Sequence, residues 1–272
     1  MDVKKIVYAV ASALLICPYC AGAKEPSFAK TGKVGICCQC GFWDNEKAWY
    51  TQESVASLVQ AQKNHFWGSE MDLRMTLDGV VLVYHNQKIG DVVIDRTKYE
   101  DLRFMTLKNG EKIPTFEEYL KQTKKSGTTL VVEIKTDPSS DRHKQLISKT
   151  VELVKANGLL KPGRIVFLSW QQETCQELTR MCPGIIVELI GNLEPQKVHD
   201  LGINGIDYKI DHFRKNPEWI EEAHKLGMLV HVWGINTEKD VREMVGLGVD
   251  MITTMNPMMV RQALGKQELK NN

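Results

Sequence analysis

A single (β/α)8 TIM barrel is the fold this sequence predicts, and three observations predict it. Short apolar runs rich in β-branched residues alternate with amphipathic stretches of helical period, the pattern of a parallel sheet joined by crossover helices. Eight such runs suit a closed barrel. No glycine-rich dinucleotide fingerprint follows the first run, which weighs against a doubly wound open sheet.

Taken in order, a strand at 34–38 leads to a helix at 53–63, and a strand at 68–75 leads, after an interruption, to a helix at 115–124. Strands at 129–134, 165–169 and 185–189 are followed by helical periodicity at 141–157, 171–181 and 195–201. Strands at 205–208, 229–233 and 251–253 precede helices at 217–226, 238–247 and 257–264. Gly158, Gly202, Gly227 and Gly248 stand just past helices, where the chain commonly turns left-handed. The interruption at 80–114 reads as a return strand over 80–84 and then irregular loop, a short insertion after the second strand that covers one side of the barrel mouth. The tail at 267–272 reads as frayed.

Residues 1–23 read as a secretory signal: Lys4 and Lys5, an apolar run over 6–16, and Ala21-Gly22-Ala23 as the cleavage site. That run falls short of the roughly 20 residues a membrane span needs, so no stable span is expected after cleavage. The expected location is outside the cytoplasm, periplasmic or secreted. Residues 24–272 are long enough for one large α/β domain. Without Asp2, Lys4 and Lys5, basic and acidic residues balance, so no global field favours nucleic acid. Five cysteines lie beyond residue 23, an odd number in a chain whose core does not need staples, and no essential disulfide is expected.

The chemistry concentrates in three places. Glu70 and Asp72 are two apart on the second strand and share a face, and Glu133 lies near the end of the third. In a TIM barrel active sites form at the C-terminal strand ends, so these carboxylates converge there. Oxygen ligands of this kind suit a divalent metal, Ca²⁺ or Mg²⁺. Lys135 faces the same way as Glu133 and brings a positive charge to the same point. His85 follows the return strand, and its ordinary pKa near neutrality suits proton transfer. Strand alternation puts Cys38 and Cys40 on one face with Cys37 and Gln39 on the other. A soft-metal site needs about four ligands and the sequence offers no completing pair, so packed thiols are expected. Trp233 is expected at the mouth as barrel filling or as a contact to a bound ligand, and His231 as a satisfied core histidine.

These motifs, over 34–257, resemble the glycerophosphodiester phosphodiesterase family. The resemblance is carried by 68–79, by Ile113-Pro114-Thr115-Phe116-Glu117-Glu118-Tyr119-Leu120, by 132–135, and by 232–236 with 248–254. It implies metal ligation by Glu70, Asp72 and Glu133, and a leaving-group acid in His85. It also exposes departures. Gln39-Cys40-Gly41 stands where the family has His-Arg-Gly, Glu53 replaces an asparagine, Asn86 an aspartate, Gly234 a threonine and Met255 an aspartate. The expected activity is hydrolysis of a small glycerophosphodiester to glycerol phosphate and an alcohol, weakened or altered, with Glu53 assisting the nucleophile through water. The alternative is an inactive relative that binds a phosphodiester, a lipid head group or a partner protein. Oligomeric state is not legible.

Overall fold

A computed structural model of the chain describes residues 34–135 and 141–268. The segment read as a secretory signal, with Cys17 and Cys20, and residues 269–272 lie outside the described residues, whereas the last helix includes Gln267 and Glu268, part of the tail expected to fray.

Eight parallel strands close into the barrel: β1 (Gly35–Cys38), β2 (Gly68–Met75), β6 (Thr129–Ile134), β7 (Ile165–Ser169), β8 (Ile186–Gly191), β9 (Gly205–Lys209), β10 (Leu229–Trp233) and β11 (Met251–Thr254). Each pairs with the next, and β1 closes the ring by pairing with β2 at Cys37↔Gly68 and with β11 at Cys37↔Thr253. Being covered on both faces, these strands read as nearly continuous apolar runs. Their outward side chains and the helices around them form the main core, which includes Met71, Leu73, Val132, Phe167, Val187, Ile206 and Val232. Inside the barrel a smaller apolar cluster holds Cys37, Val131, Val166, Leu168, Ile186 and Ile190. Gly205 is required by this interior, because a Cβ there would lie 2.8 Å from Glu188 Cγ.

The outer helices are α1 (Val55–Lys63), α3 (Phe116–Thr123), α4 (Asp141–Ala156), α5 (Gln172–Met181), α6 (Pro195–Asp200), α8 (Glu218–Lys225), α9 (Glu238–Leu247) and α10 (Pro257–Glu268). Gly158, Gly202, Gly227 and Gly248 all have the positive φ expected of helix-ending residues. Helix α1 starts two residues later than its periodicity predicts. Ser54 caps it by accepting from Ser57 N at 3.0 Å, which leaves Glu53 outside the helix at φ 57°.

The insertion is better built than an irregular loop. Strand β3 (Val81–Val83) returns antiparallel to the end of β2, pairing Leu73↔Val83 and Met75↔Val81. A small hairpin, β4 (Lys88–Ile89) and β5 (Val92–Val93), and a one-turn helix α2 (Tyr99–Leu102) follow. Leu82, Ile94, Leu102 and Ile113 bury a separate apolar cluster beneath them, each contributing about 1.5–3 kcal/mol of burial. A further helix, α7 (Ile210–Lys215), follows β9 directly and was not expected. Only Ile210 and Phe213 are buried along it, too few to mark a helical period.

Candidate active site

Parallel register delivers the acidic residues to one point. Asp72 on β2 lies opposite Glu133 on β6, and Glu70 opposite Val131. One carboxylate oxygen from each of Glu70, Asp72 and Glu133 lies within 4.8 Å of the others. All three residues are buried. Lys135 Nζ sits 3.0 Å from Asp72 Oδ1 and 3.5 Å from Glu133 Oε1. Arg74, one step along the inward face from Asp72, donates to His85 O at 2.8 Å and to Lys135 O at 3.4 Å, strapping the insertion loop to β6.

Crowded carboxylates in a buried place resist ionisation. Burial, then Asp72, pushes Glu133 up to about 8, with Lys135 opposing. Burial and then Asp72 and Glu133 raise Glu70 well above the usual range, against the Cys40 N–H, which donates to Glu70 Oε2 at 2.8 Å. Burial alone would lower the Lys135 ammonium, but Asp72 and Glu133 outweigh it and the group ends above its ordinary value. Beyond the ion pairs to Lys135, Asp72 receives no hydrogen bond at either side-chain oxygen. An oxygen-rich centre with bare lone pairs fits a hard divalent cation.

A cavity of about 210 Å³ opens over these groups. Gln39, Cys40, Glu70, Asp72, His85, Glu133, Lys135 and Trp233 all line it, so nearly every site residue expected from the sequence comes together here. His85 is exposed, and its Nδ1 lies 3.1 Å from Asn86 Oδ1. Glu53 and Asn86 do not line this cavity but a neighbouring cleft that His85 shares. Glu53 is buried, and its Oε2 accepts from Asp72 N at 3.4 Å.

The cysteine faces also differ from strand alternation. Cys37 points into the barrel and Cys38 outward, as a strand requires. The strand ends at Cys38, however, and Cys40 adopts φ 53°, which turns its side chain to the cavity beside Gln39. Burial, then Glu70 and Glu53, holds the Cys40 thiol well above its ordinary value, so it is no ready nucleophile. All five described cysteines are free. His231 is satisfied, with Nδ1 3.0 Å from Glu188 Oε2 and Nε2 2.7 Å from Thr253 Oγ1. Gly234 adopts φ 80°, while Met255 is half exposed at the rim. Trp49 is exposed, and Trp43 lines a neighbouring cleft that His85 shares.

Five cavity residues were not among those expected from the sequence: Leu168, Trp170, Ile190, Asp207 and Thr253. Trp170, 53% exposed, stands edge-on to Trp233 with ring centroids 6.1 Å apart. Asp207 and Thr253 complete the wall. Burial pushes Asp207 up to about 7, with His231 opposing and Glu188 adding, and its Oδ1 has no hydrogen-bond partner. A larger cleft of about 650 Å³ shares Glu133, Lys135 and Trp170 with the mouth and brings in Arg74, Arg96 and Arg142. Inward alternation from Asp72 would have found Arg74. Trp170 carried only the weaker sign of an aromatic one step past a strand.

A TIM barrel that gathers carboxylates, a lysine and an exposed histidine at its C-terminal mouth has the make-up of a hydrolase site. The model of the Glycerophosphoryl diester phosphodiesterase family matches residues 46–259, and this chain belongs to that family. It is 24% identical to the glycerophosphodiester phosphodiesterase of Bacillus subtilis (strain 168) over 241 residues, covering 76% of this chain and 79% of the relative. A glycerophosphodiester phosphodiesterase from Parabacteroides distasonis superimposes with a TM-score of 0.83 at 32% identity, covering 86% of this chain and 98% of that one. An Oleispira antarctica phosphodiesterase, solved with the product sn-glycerol-3-phosphate, superimposes at 0.74 with 19% identity, covering 87% and 99%. Among the described residues no helix is long and apolar enough to cross a membrane.

Proposed function

We propose that this chain is an exported, metal-assisted phosphodiesterase that hydrolyses a glycerophosphodiester to glycerol phosphate and an alcohol, with a proton-transfer route altered from its family's. The convergence of Glu70, Asp72 and Glu133 within 4.8 Å at the barrel mouth carries this reading. Those three residues would hold a divalent cation, Ca²⁺ or Mg²⁺, which when bound supplies Lewis acidity toward a phosphate oxygen. Lys135 adds a positive charge at the same place. His85, exposed at the rim, protonates the leaving alkoxide, and Asn86 orients its ring through Nδ1.

Gln39 can neither accept a proton nor attack phosphorus, and Cys40 supplies no bidentate phosphate donor. Asp207 lines the same cavity apart from the cation ligands and takes the proton from the attacking hydroxyl, close to Glu188 and His231 of the Glu188–His231–Thr253 chain. Trp170 and Trp233 offer apolar faces to the glycerol or alcohol moiety, and the adjoining arginine-lined cleft receives a polar head group.

The test is hydrolysis of a panel of glycerophosphodiesters by the purified protein with Ca²⁺, Mg²⁺ or chelator, beside Glu70→Ala and the pair Gln39→His with Cys40→Arg. Cation-dependent turnover, lost in Glu70→Ala, is the expected result. Gln39 and Cys40 in the cavity wall favour a second reading, a scaffold that binds a phosphodiester without cleaving it. Silence in the native chain with turnover in the double variant would establish that one.

A further inference from the structure

The two departures from the family pattern nearest the acidic centre, Cys40 and Glu53, are brought together. Glu53 N donates to Cys40 O at 3.1 Å, and both residues hold a left-handed backbone that non-glycine residues rarely adopt. Cys40, Glu53 and Asp72 each offer a ligand atom, and these atoms lie within 4.8 Å of one another. The three side chains are 3%, 2% and 1% exposed. Glu53 Oε1 and Asp72 Oδ2 have no hydrogen-bond partner although both are buried. Leaving such atoms unmet costs about 1–3 kcal/mol each, more when charged.

We propose that the chain binds a second divalent cation between Cys40 Sγ, Glu53 and Asp72, with Asp72 bridging to the cation held by Glu70 and Glu133. The ligand set identifies the ion's class. One thiolate with carboxylate oxygens suits a borderline ion such as Zn²⁺ better than Ca²⁺ or Mg²⁺, and three protein ligands are the complement of a zinc site that keeps one position open. Cys40 and Asp72 both line the mouth cavity, which gives the ion a route in. Binding releases the thiol proton to solvent. The thiols found no completing Cys or His in sequence; here the completing ligands are carboxylates brought from elsewhere in the chain.

The proposal rests on the cation reading of Glu70, Asp72 and Glu133, but not on hydrolysis. Chelator-stripped protein is loaded with Zn²⁺, dialysed, and its metal content measured against protein concentration; a parallel sample is loaded with Co²⁺ and its absorption spectrum recorded. The native chain is expected to hold two ions and to show a thiolate-to-cobalt charge-transfer band. Cys40→Ser should lose the band and one ion, and Glu53→Asn should also lose one ion. Asparagine tolerates the left-handed backbone at this position, so Glu53→Asn keeps the test open where Cys40→Ser misfolds. One ion per chain, lost in Glu70→Ala and without a thiolate band, would overturn the second site alone. No bound ion at all would overturn both sites.

Discussion

Asp207 shows how much a single buried carboxyl can decide. It lies 5% exposed in the cavity wall, and its carboxyl is pushed up to about 7 by burial, against the pull of His231. A base must be deprotonated to act, so turnover should fall as pH drops through about 7. Asp207→Asn keeps the size and removes the titration. It should lower kcat by roughly 10²–10⁴ and abolish that acidic limb of the pH–rate profile. A limb that survives in Asp207→Asn would assign proton acceptance to another group. Asp207 was not legible as a site residue because Gly-Ile-Asp-Tyr reads simply as a buried strand, and only barrel closure brings its interior side chain beneath the mouth.

Elements whose burial is continuous were the legible ones. Strands β2 and β6 fall at the residues their apolar runs predict, and with them the placement of Glu70, Asp72 and Glu133. The turn after β1 was not legible, because alternation extends a strand past the point where backbone sterics end it. Gly41 marks that point: at φ 80° a Cβ would lie 2.2 Å from Ser57 Oγ, against the start of α1. Gly90, at φ 58° in the β4–β5 hairpin, would place a Cβ in open space. The two alanine substitutions therefore separate conformational strain from collision. Gly90→Ala should cost about 1–2 kcal/mol, the strain of a left-handed residue alone. Gly41→Ala should cost clearly more and also lower cation affinity, since Gly41 N donates to Glu70 O and adjoins Cys40. Comparing denaturant midpoints and cation titrations of both variants checks this, and equal losses would mean that Ser57 yields without disturbing the turn.

Across the whole molecule the barrel encloses an unusual amount of buried acid, and stability must register it. Glu53, Glu70, Glu133 and Asp207 all have folded-state values raised by burial, Glu133 to about 8 and Asp207 to about 7. A raised carboxyl binds its proton in the folded state at pH values where the unfolded chain has lost it. The folded protein therefore holds more protons between roughly pH 4, the unfolded carboxyl value, and about 8, and stability falls as pH rises through that window. Carboxyls lowered by surface ion pairs, such as Glu177, Asp240 and Glu243, act in the opposite sense, but only below about pH 4.5. Melting of the chelator-treated protein between pH 5 and 8 reads the buried carboxyls together with His224 and His231, whose values are also raised and which act in the same sense. The melting temperature should drop toward pH 8, by about 2–4 °C for each kcal/mol lost. Because a bound cation competes with these protons, added divalent metal should recover stability at pH 8 far more than at pH 5. A melting temperature that rises with pH in chelator would mean that the carboxylates are compensated within the protein itself, and the need for cations at this centre would fall with it.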